Sequence, residues 1–293
     1  MAISSLFVLM LGSACLNRVV DGPHDTPTSG SIHIAVDESL VPVVVAEVQA
    51  FESIYRDAHI AIHSVPGEVA IQLLVADSVR LAVVARPLNE LEKQKILAQR
   101  ITPHEMTVAK ESVAIILNPA AKDSLLTTRS LIDVFSGIGK HRVVFDNPNS
   151  SIVRFVKDSL LAGKAFSEST YSLKSNEAVI EYVSKQKDAI GLIGGAWIGD
   201  RDDPAMNKFL ESIRVAAVEY DGEYYQPYQA HVARGLYPLT RNIVLCSREA
   251  RSGLASGFMS FVGGDKGQRV ILKSGLVPVT MPIRVVQVTN EPL

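Results

Sequence analysis

The sequence predicts an α/β protein built on mainly parallel sheets, and three observations carry that prediction. Short apolar runs, Leu81–Ala85, Ser112–Leu117, Arg142–Phe145 and Ala189–Ile193, have the length and composition of strands. Between them, apolar residues recur at helical spacing. Strands alternating with helices build parallel sheets flanked by helices. The strand runs also give way to small polar residues, and in such sheets ligands sit at the carboxyl ends of the strands.

The elements follow in chain order. Ile32–Val36 alternates like a half-buried strand and breaks at Asp37-Glu38-Ser39. Val41, Val44, Val45, Val48, Phe51 and Tyr55 then mark one face of a helix, with Pro42 tolerated in its first turn. His59–Ile62 reads as a second strand. Leu81–Ala85 reads as a buried one ending in Arg86-Pro87-Leu88-Asn89, and a charged helix starts near Glu90. Arg142–Phe145 runs through Asp146-Asn147-Pro148-Asn149-Ser150-Ser151 into a helix with Ile152, Phe155, Val156 and Leu160 on its apolar face. Asn149 or Ser150 caps that helix. Ala189–Ile193, Arg214–Val218 and Ile243–Cys246 complete the strands.

The turn at Asn149–Ser151 is the most informative point of the chain. Unpaired backbone N–H groups and the positive end of the helix dipole make such a junction a seat for an anion.

At 293 residues the chain suits two domains, and 47% hydrophobic content suffices for sizeable cores. A net charge of −2 leaves no basic stripe, so nucleic acid is not an expected partner. Past the first fifteen residues no stretch is long and apolar enough to cross a bilayer. Ile3–Leu11 is a short apolar run followed by Gly12-Ser13-Ala14-Cys15, which suits a secretory signal. The Asp, Pro, Thr, Ser and Gly content of residues 17–31 suits a flexible tether. Cys246 lies in an apolar strand and reads as a small core residue.

Other chemistries find no support. His59 and His63, four apart on one strand, stand about 13 Å apart and cannot share a metal. His24, His33, His104, His141 and His231 lack ligand spacing. No G-x-S-x-G, Walker or dinucleotide fingerprint is present. Glu177 and Glu181 read as a solvated helix face. Tyr224, Tyr225 and Tyr228 read as a loop packing cluster, with cleft lining or a partner surface as the alternative. The expectation is no enzyme, no cofactor and no metal.

Several segments together resemble the phosphate-binding proteins of bacterial ABC transporters, in the type II periplasmic-binding-protein superfamily. They are Asp37-Glu38-Ser39, Val84-Ala85-Arg86-Pro87-Leu88, Ser112–Pro119, Leu131-Ile132-Asp133-Val134-Phe135-Ser136-Gly137, Asn149-Ser150-Ser151, Ala189-Ile190-Gly191, Tyr237-Pro238-Leu239-Thr240-Arg241 and Gly275-Leu276-Val277-Pro278. The N-terminus resembles a bacterial lipoprotein signal with Cys15 as the lipidated residue, although no Lys or Arg precedes the apolar run and Leu11 stands one position further from the cysteine than that pattern has it. A plain cleaved signal is the alternative.

The resemblance implies two α/β lobes, each a mainly parallel sheet flanked by helices, joined by two hinge-crossing strands near 107–113 and 237–243. It implies a signal at 1–15, a tether at 16–28, lobe 1 at 29–110 and 241–293, and lobe 2 at 111–240. By position in the family's three anion loops it implies a ligand site at Ser39, Arg86, Asn149, Ser150 and Ser151. The third loop departs from the family, since Phe145 stands where an Arg would and the turn lacks glycines. Arg142, Arg154 or Arg86 are the candidates for the missing charge. Two carboxylates at Asp37-Glu38 would repel a dianion unless they point away, and an amine- or hydroxyl-bearing solute is then an alternative ligand. The function implied is an envelope lipoprotein, anchored to a membrane and facing the periplasm, that captures an oxyanion such as phosphate for an ABC permease. The alternative is an interaction protein that docks on an envelope complex through the same fold.

Overall fold

The computed structural model describes residues 25–168 and 170–280. The expected signal at 1–15, with Cys15, lies outside the described residues, as does the C-terminal stretch from 281.

The chain opens with β1 (Gly30–Asp37), a 3₁₀ turn at Glu38–Leu40 and α1 (Val41–Ile54). It continues through β2 (Ala58–Val65), α2 (Gly67–Val75), β3 (Leu81–Val84) and α3 (Glu90–Leu97). The fourteen-residue β4 (His104–Leu117) follows. Then come β5 (Leu125–Leu126), α4 (Thr128–Phe135), β6 (Arg142–Phe145), α5 (Ser151–Ser159), β7 (Tyr171–Ser172), α6 (Asn176–Lys185) and β8 (Ala189–Gly194). After a 3₁₀ turn at Gly195–Trp197 the chain forms α7 (Pro204–Ser212), β9 (Arg214–Val215), β10 (Ala217–Tyr220), β11 (Glu223–Tyr225) and α8 (Gln229–Ala233). It closes with β12 (Thr240–Ser247), α9 (Leu254–Gly263), α10 (Asp265–Lys273) and β13 (Val277–Pro278).

β4 is the strand that ties the molecule together. The main sheet has the order β2-β1-β3-β12-β4-β8-β6-β7. β1 runs parallel to β2 and β3, and β6 runs parallel to β7 and β8. The central strands break the pattern: β12 is antiparallel to both β3 and β4, and β4 is antiparallel to β8 and to the short β9 and β13. The first half of β4 pairs with β12 and the second half with β8 and β9, so the strand passes from one lobe to the other near Glu111–Val113. The result is a two-lobed α/β fold in which each lobe is a mainly parallel sheet flanked by helices.

Each lobe has an apolar core on both faces of its sheet. In the first lobe, Ile34, Val48, Phe51, Leu245 and Phe258 pack on the α1/α9 face, and Ala35, Ile71, Leu74 and Cys246 pack under α2. In the second, Ile115, Leu131, Phe135 and Val156 form one core, and Ile116, Val179, Val183 and Ile193 form the other. Runs such as Ile115-Ile116 read as continuous apolar stretches because both faces are covered.

Several expectations change on folding. Arg214–Val218 is not one strand: β9 stays on β4, while β10 joins a separate three-stranded sheet with β5 and β11. Within the expected tether, Asp25 is buried on the first lobe. Its carboxylate accepts from Arg80 Nη1 at 2.6 Å, Arg251 Nη2 at 3.0 Å and the Leu254 N–H at 2.8 Å. Tyr225 and Tyr228 pack against His231, with ring centroids 5.2 and 5.9 Å away, while Tyr224 and Tyr228 are both exposed. His33, expected without a histidine partner, meets His63.

Candidate functional site: a buried arginine between the lobes

Three strand ends and two helix starts meet where the lobes face each other. β1 delivers Asp37 and the 3₁₀ turn carrying Ser39; β6 delivers Asp146 and the turn into α5, which carries Ser150 and Ser151. The hinge strands add Glu111 from β4 and Arg241 from β12, which stand opposite each other in the ladder.

Arg241 organises the group. Its Nε donates to Glu111 Oε2 at 2.9 Å, its Nη2 to Ser39 Oγ at 2.7 Å and its Nη1 to Ser151 Oγ at 2.7 Å. One guanidinium thus ties the first lobe, the second lobe and the hinge. The two serine hydroxyls lie 3.4 Å apart. Arg241 and Glu111 are both buried. Burial holds the Glu111 carboxyl above its ordinary range, while Arg241 and the Ala196 N–H, 3.2 Å from Oε1, pull the other way.

Carboxylates crowd around this cation. Asp37 caps the 3₁₀ turn, with Oδ1 accepting from Ser39 N at 3.0 Å and Ser39 Oγ at 2.7 Å. Among the described residues its buried Oδ2 has no hydrogen-bond partner, and neither does the buried Oε1 of Glu38. Burial first, and then the neighbouring Asp146 and Asp37, push the Glu38 carboxyl up to about 7. Asp146 is fully buried; burial raises its pKa, and it accepts from Asn147 N at 2.9 Å and Asn176 Nδ2 at 3.2 Å.

Two glycines allow the lobes to close here. A Cβ on Gly67, at the start of α2, would lie 3.2 Å from Ser151 Cβ across the cleft, and 2.5 Å from Asp37 Oδ2 within its own lobe. A Cβ on Gly194, at the end of β8, would lie 2.6 Å from the Ser39 carbonyl oxygen. Beside Asp37 and Ser151 opens a cavity of about 340 Å³, lined also by Gly67, Ile71, Arg86 and Phe155.

The expected site residues are placed as follows. Ser39 and Ser151 come together on Arg241. Ser150 is the N-cap of α5, its Oγ accepting from Val153 N at 3.2 Å. Asn149 is exposed, with its N–H donating to Asn147 Oδ1 at 2.9 Å. Arg86 lines the cavity but bonds to Glu68 Oε2 at 3.0 Å and Glu92 Oε1 at 2.8 Å, not to Asp37 or Glu38. Arg154 also pairs with Glu68, and Arg142 with Asp188 at 3.2 Å. None of the three candidate arginines is the buried cation between the lobes. That residue is Arg241, and its signal was a charge set directly before the apolar run Ile243–Cys246, opposite a second charge, Glu111, before Val113–Leu117.

Comparison with known proteins places the chain in a family. The family model described as PBP superfamily domain matches residues 21–266, and the chain belongs to that family. Solved structures share the fold. A putative phosphate ABC transporter substrate-binding protein with bound phosphate from Clostridium perfringens is 20% identical, with a TM-score of 0.74 over 86% of this chain and 100% of that one. An ABC-type phosphate transport receptor from Vibrio cholerae is 18% identical, with a TM-score of 0.65 over 85% and 100%. The regulatory domain of CcmR from Synechocystis PCC6803, in complex with 2-PG, is 11% identical, with a TM-score of 0.56 over 80% and 96%. No curated protein matches the chain.

Proposed function

We propose that the protein is an envelope solute-binding lipoprotein that captures a small oxyanion, phosphate first among them, between its lobes and presents it to an ABC-type transporter. The observation that carries this reading is the meeting of Ser39 and Ser151, from two facing helix starts, on the buried guanidinium of Arg241. Hydroxyls, helix N-termini and a guanidinium are the donors an oxyanion needs. The likeness to a putative phosphate ABC transporter substrate-binding protein with bound phosphate and to an ABC-type phosphate transport receptor supports the same direction. Asp37 narrows it. An unpartnered buried carboxylate oxygen requires a donor, so the ligand carries a proton of its own, as phosphate does at neutral pH and sulfate does not.

The reading includes no catalytic step and no cofactor. Ser39, Ser151 and Arg241 form the core of the site, with Ser150 holding the start of α5 and Arg86 on the cavity wall; Asn149 contributes through the shape of the turn. The lobes take the boundaries 29–110 with 241–293, and 111–240. Cys15 carries the lipid that anchors the chain to a membrane, with the fold facing the periplasm.

A second reading has one observation in its favour. The donors of Arg241 are committed to Glu111, Ser39 and Ser151, and Asp37, Glu38 and Asp146 surround them. An arrangement that satisfies itself suits an interaction protein which docks on an envelope complex without a transported solute. A thermal-shift and calorimetric screen of the full chain against phosphate, sulfate and organic anions separates the two. Saturable stabilisation by phosphate but not sulfate supports capture. No response to any anion supports docking.

A further inference from the structure

The histidines at the outer edge of the first lobe were set aside on spacing, because His59 and His63 are too far apart along β2. The fold supplies a different pair. β1 and β2 run parallel with Ser31 opposite His59, His33 opposite Ala61 and Ala35 opposite His63. Side chains alternate across a strand, so Ser31, His33, His59, Ala61 and His63 share one face. α2 packs over Ala35 on this face, and His33, His59 and His63 remain exposed. His33 and His63 lean together across the diagonal, with Nδ1 of His33 2.8 Å from Nε2 of His63 and ring centroids 4.9 Å apart.

We propose that His33 and His63 form a two-histidine clamp for a divalent copper or nickel ion. The class of metal follows from the geometry. Imidazole nitrogen bonds such ions at about 2.0–2.1 Å. If the clamp keeps the 2.8 Å N···N separation of the present hydrogen bond, the two nitrogens subtend roughly a right angle at the ion. A tetrahedral ion such as zinc would need them about 3.4 Å apart. Right angles belong to the tetragonal and octahedral coordination of Cu(II) and Ni(II), and two imidazoles suit both ions. Water fills the remaining positions. The present contact has one ring donating to the other; in the clamp each ring keeps its proton on the nitrogen facing away and tilts its lone pair toward the shared ion. The two rings stand on hydrogen-bonded neighbouring strands, so little backbone freedom is lost on binding. The clamp is separate from the inter-lobe site, as His33 lies four residues before Asp37 along β1, about 13 Å away.

The test is titration of Cu²⁺, Ni²⁺ and Zn²⁺ at neutral pH into the full chain, purified without a histidine tag, alongside His33→Ala, His63→Ala and His59→Ala. The expected result is a stoichiometric Cu²⁺ site whose paramagnetic resonance spectrum reports two imidazole nitrogens. Ni²⁺ should bind more tightly than Zn²⁺. His33→Ala and His63→Ala should each weaken Cu²⁺ by about tenfold or more, the loss of one of two donors, while His59→Ala leaves it unchanged. All three side chains are exposed, so thermal melts should match the wild type. Unchanged Cu²⁺ affinity in His33→Ala or His63→Ala, a one-nitrogen spectrum in the wild type, or Zn²⁺ preferred over Ni²⁺ would each overturn the clamp.

Discussion

Glu47 sits on the buried side of α1, 2% exposed, with neither carboxyl oxygen bonded among the described residues. Val43, Val83, Val108, Ile243, Leu245 and Phe258 surround the same small void. Burial pushes its pKa up to about 9. Below the unfolded value near 4.5 both states hold the proton and Glu47 has no effect on the pH dependence. Between there and about 9 the unfolded chain ionises while the folded chain does not. The unfolded state then binds fewer protons, so stability falls as pH rises, by at most about 1.4 kcal/mol per unit. Urea denaturation at pH 5 and pH 8 should show this slope in the wild type and a shallower one in Glu47→Met, which should also be the more stable at pH 8. Arg241 behaves oppositely. Arg241→Met leaves Glu111 buried and uncompensated, at a cost of about 3–5 kcal/mol, and adding Glu111→Leu should recover most of it, read from the same denaturation curves. Residues of both kinds were hard to read from sequence: Glu47 falls between apolar helix positions and looks like an exposed one, and Arg241 gains meaning only from Glu111 across the ladder.

At the scale of elements, the positions of the buried strands were legible because fully covered strands leave continuous apolar runs, as at Leu81–Val84 and Ala189–Gly194, but their order in the sheet was not. Helix starts were legible where a polar side chain caps them, as Asn89 caps α3 and Ser150 caps α5. α2, α9 and α10 were not marked in advance. α2 begins after Pro66 and α9 after Gly253, without a side-chain cap from either residue, and α9 is apolar over much of its surface. Of the Asn149–Ser151 turn, Ser151 meets the guanidinium of Arg241 on β12, ninety residues on, and not Arg142, Arg154 or Arg86, because the pairing arises only when the strands cross the hinge. β12 also sits centrally in the sheet, between β3 and β4. Truncation after Pro238 should therefore abolish cooperative melting of the first lobe rather than trim a tail. A truncated chain with the wild-type transition, followed by circular dichroism, would contradict that role.

For the whole molecule, the long β4 and β12 both run through the hinge, and the buried Arg241–Glu111 pair lies where they cross it. Opening the cleft separates Ser39 from Ser151, which meet at 3.4 Å and share Arg241, and leaves the two lobe cores intact. That is the arrangement expected of hinge closure around a ligand. Anchoring adds a further expectation. Cys15→Ser should move the protein from the membrane to the soluble envelope fraction, and mass spectrometry of the wild type should find a diacylated or triacylated cysteine. The central claim, that the two serines and Arg241 take an oxyanion, is tested most directly by calorimetric titration of phosphate into the wild type, Ser39→Ala and Ser151→Ala. A hydrogen bond to a charged partner contributes roughly 1.5–3 kcal/mol, so each alanine should weaken phosphate by about ten- to a hundredfold. Equal phosphate affinity in all three proteins, or no binding by the wild type, would contradict it.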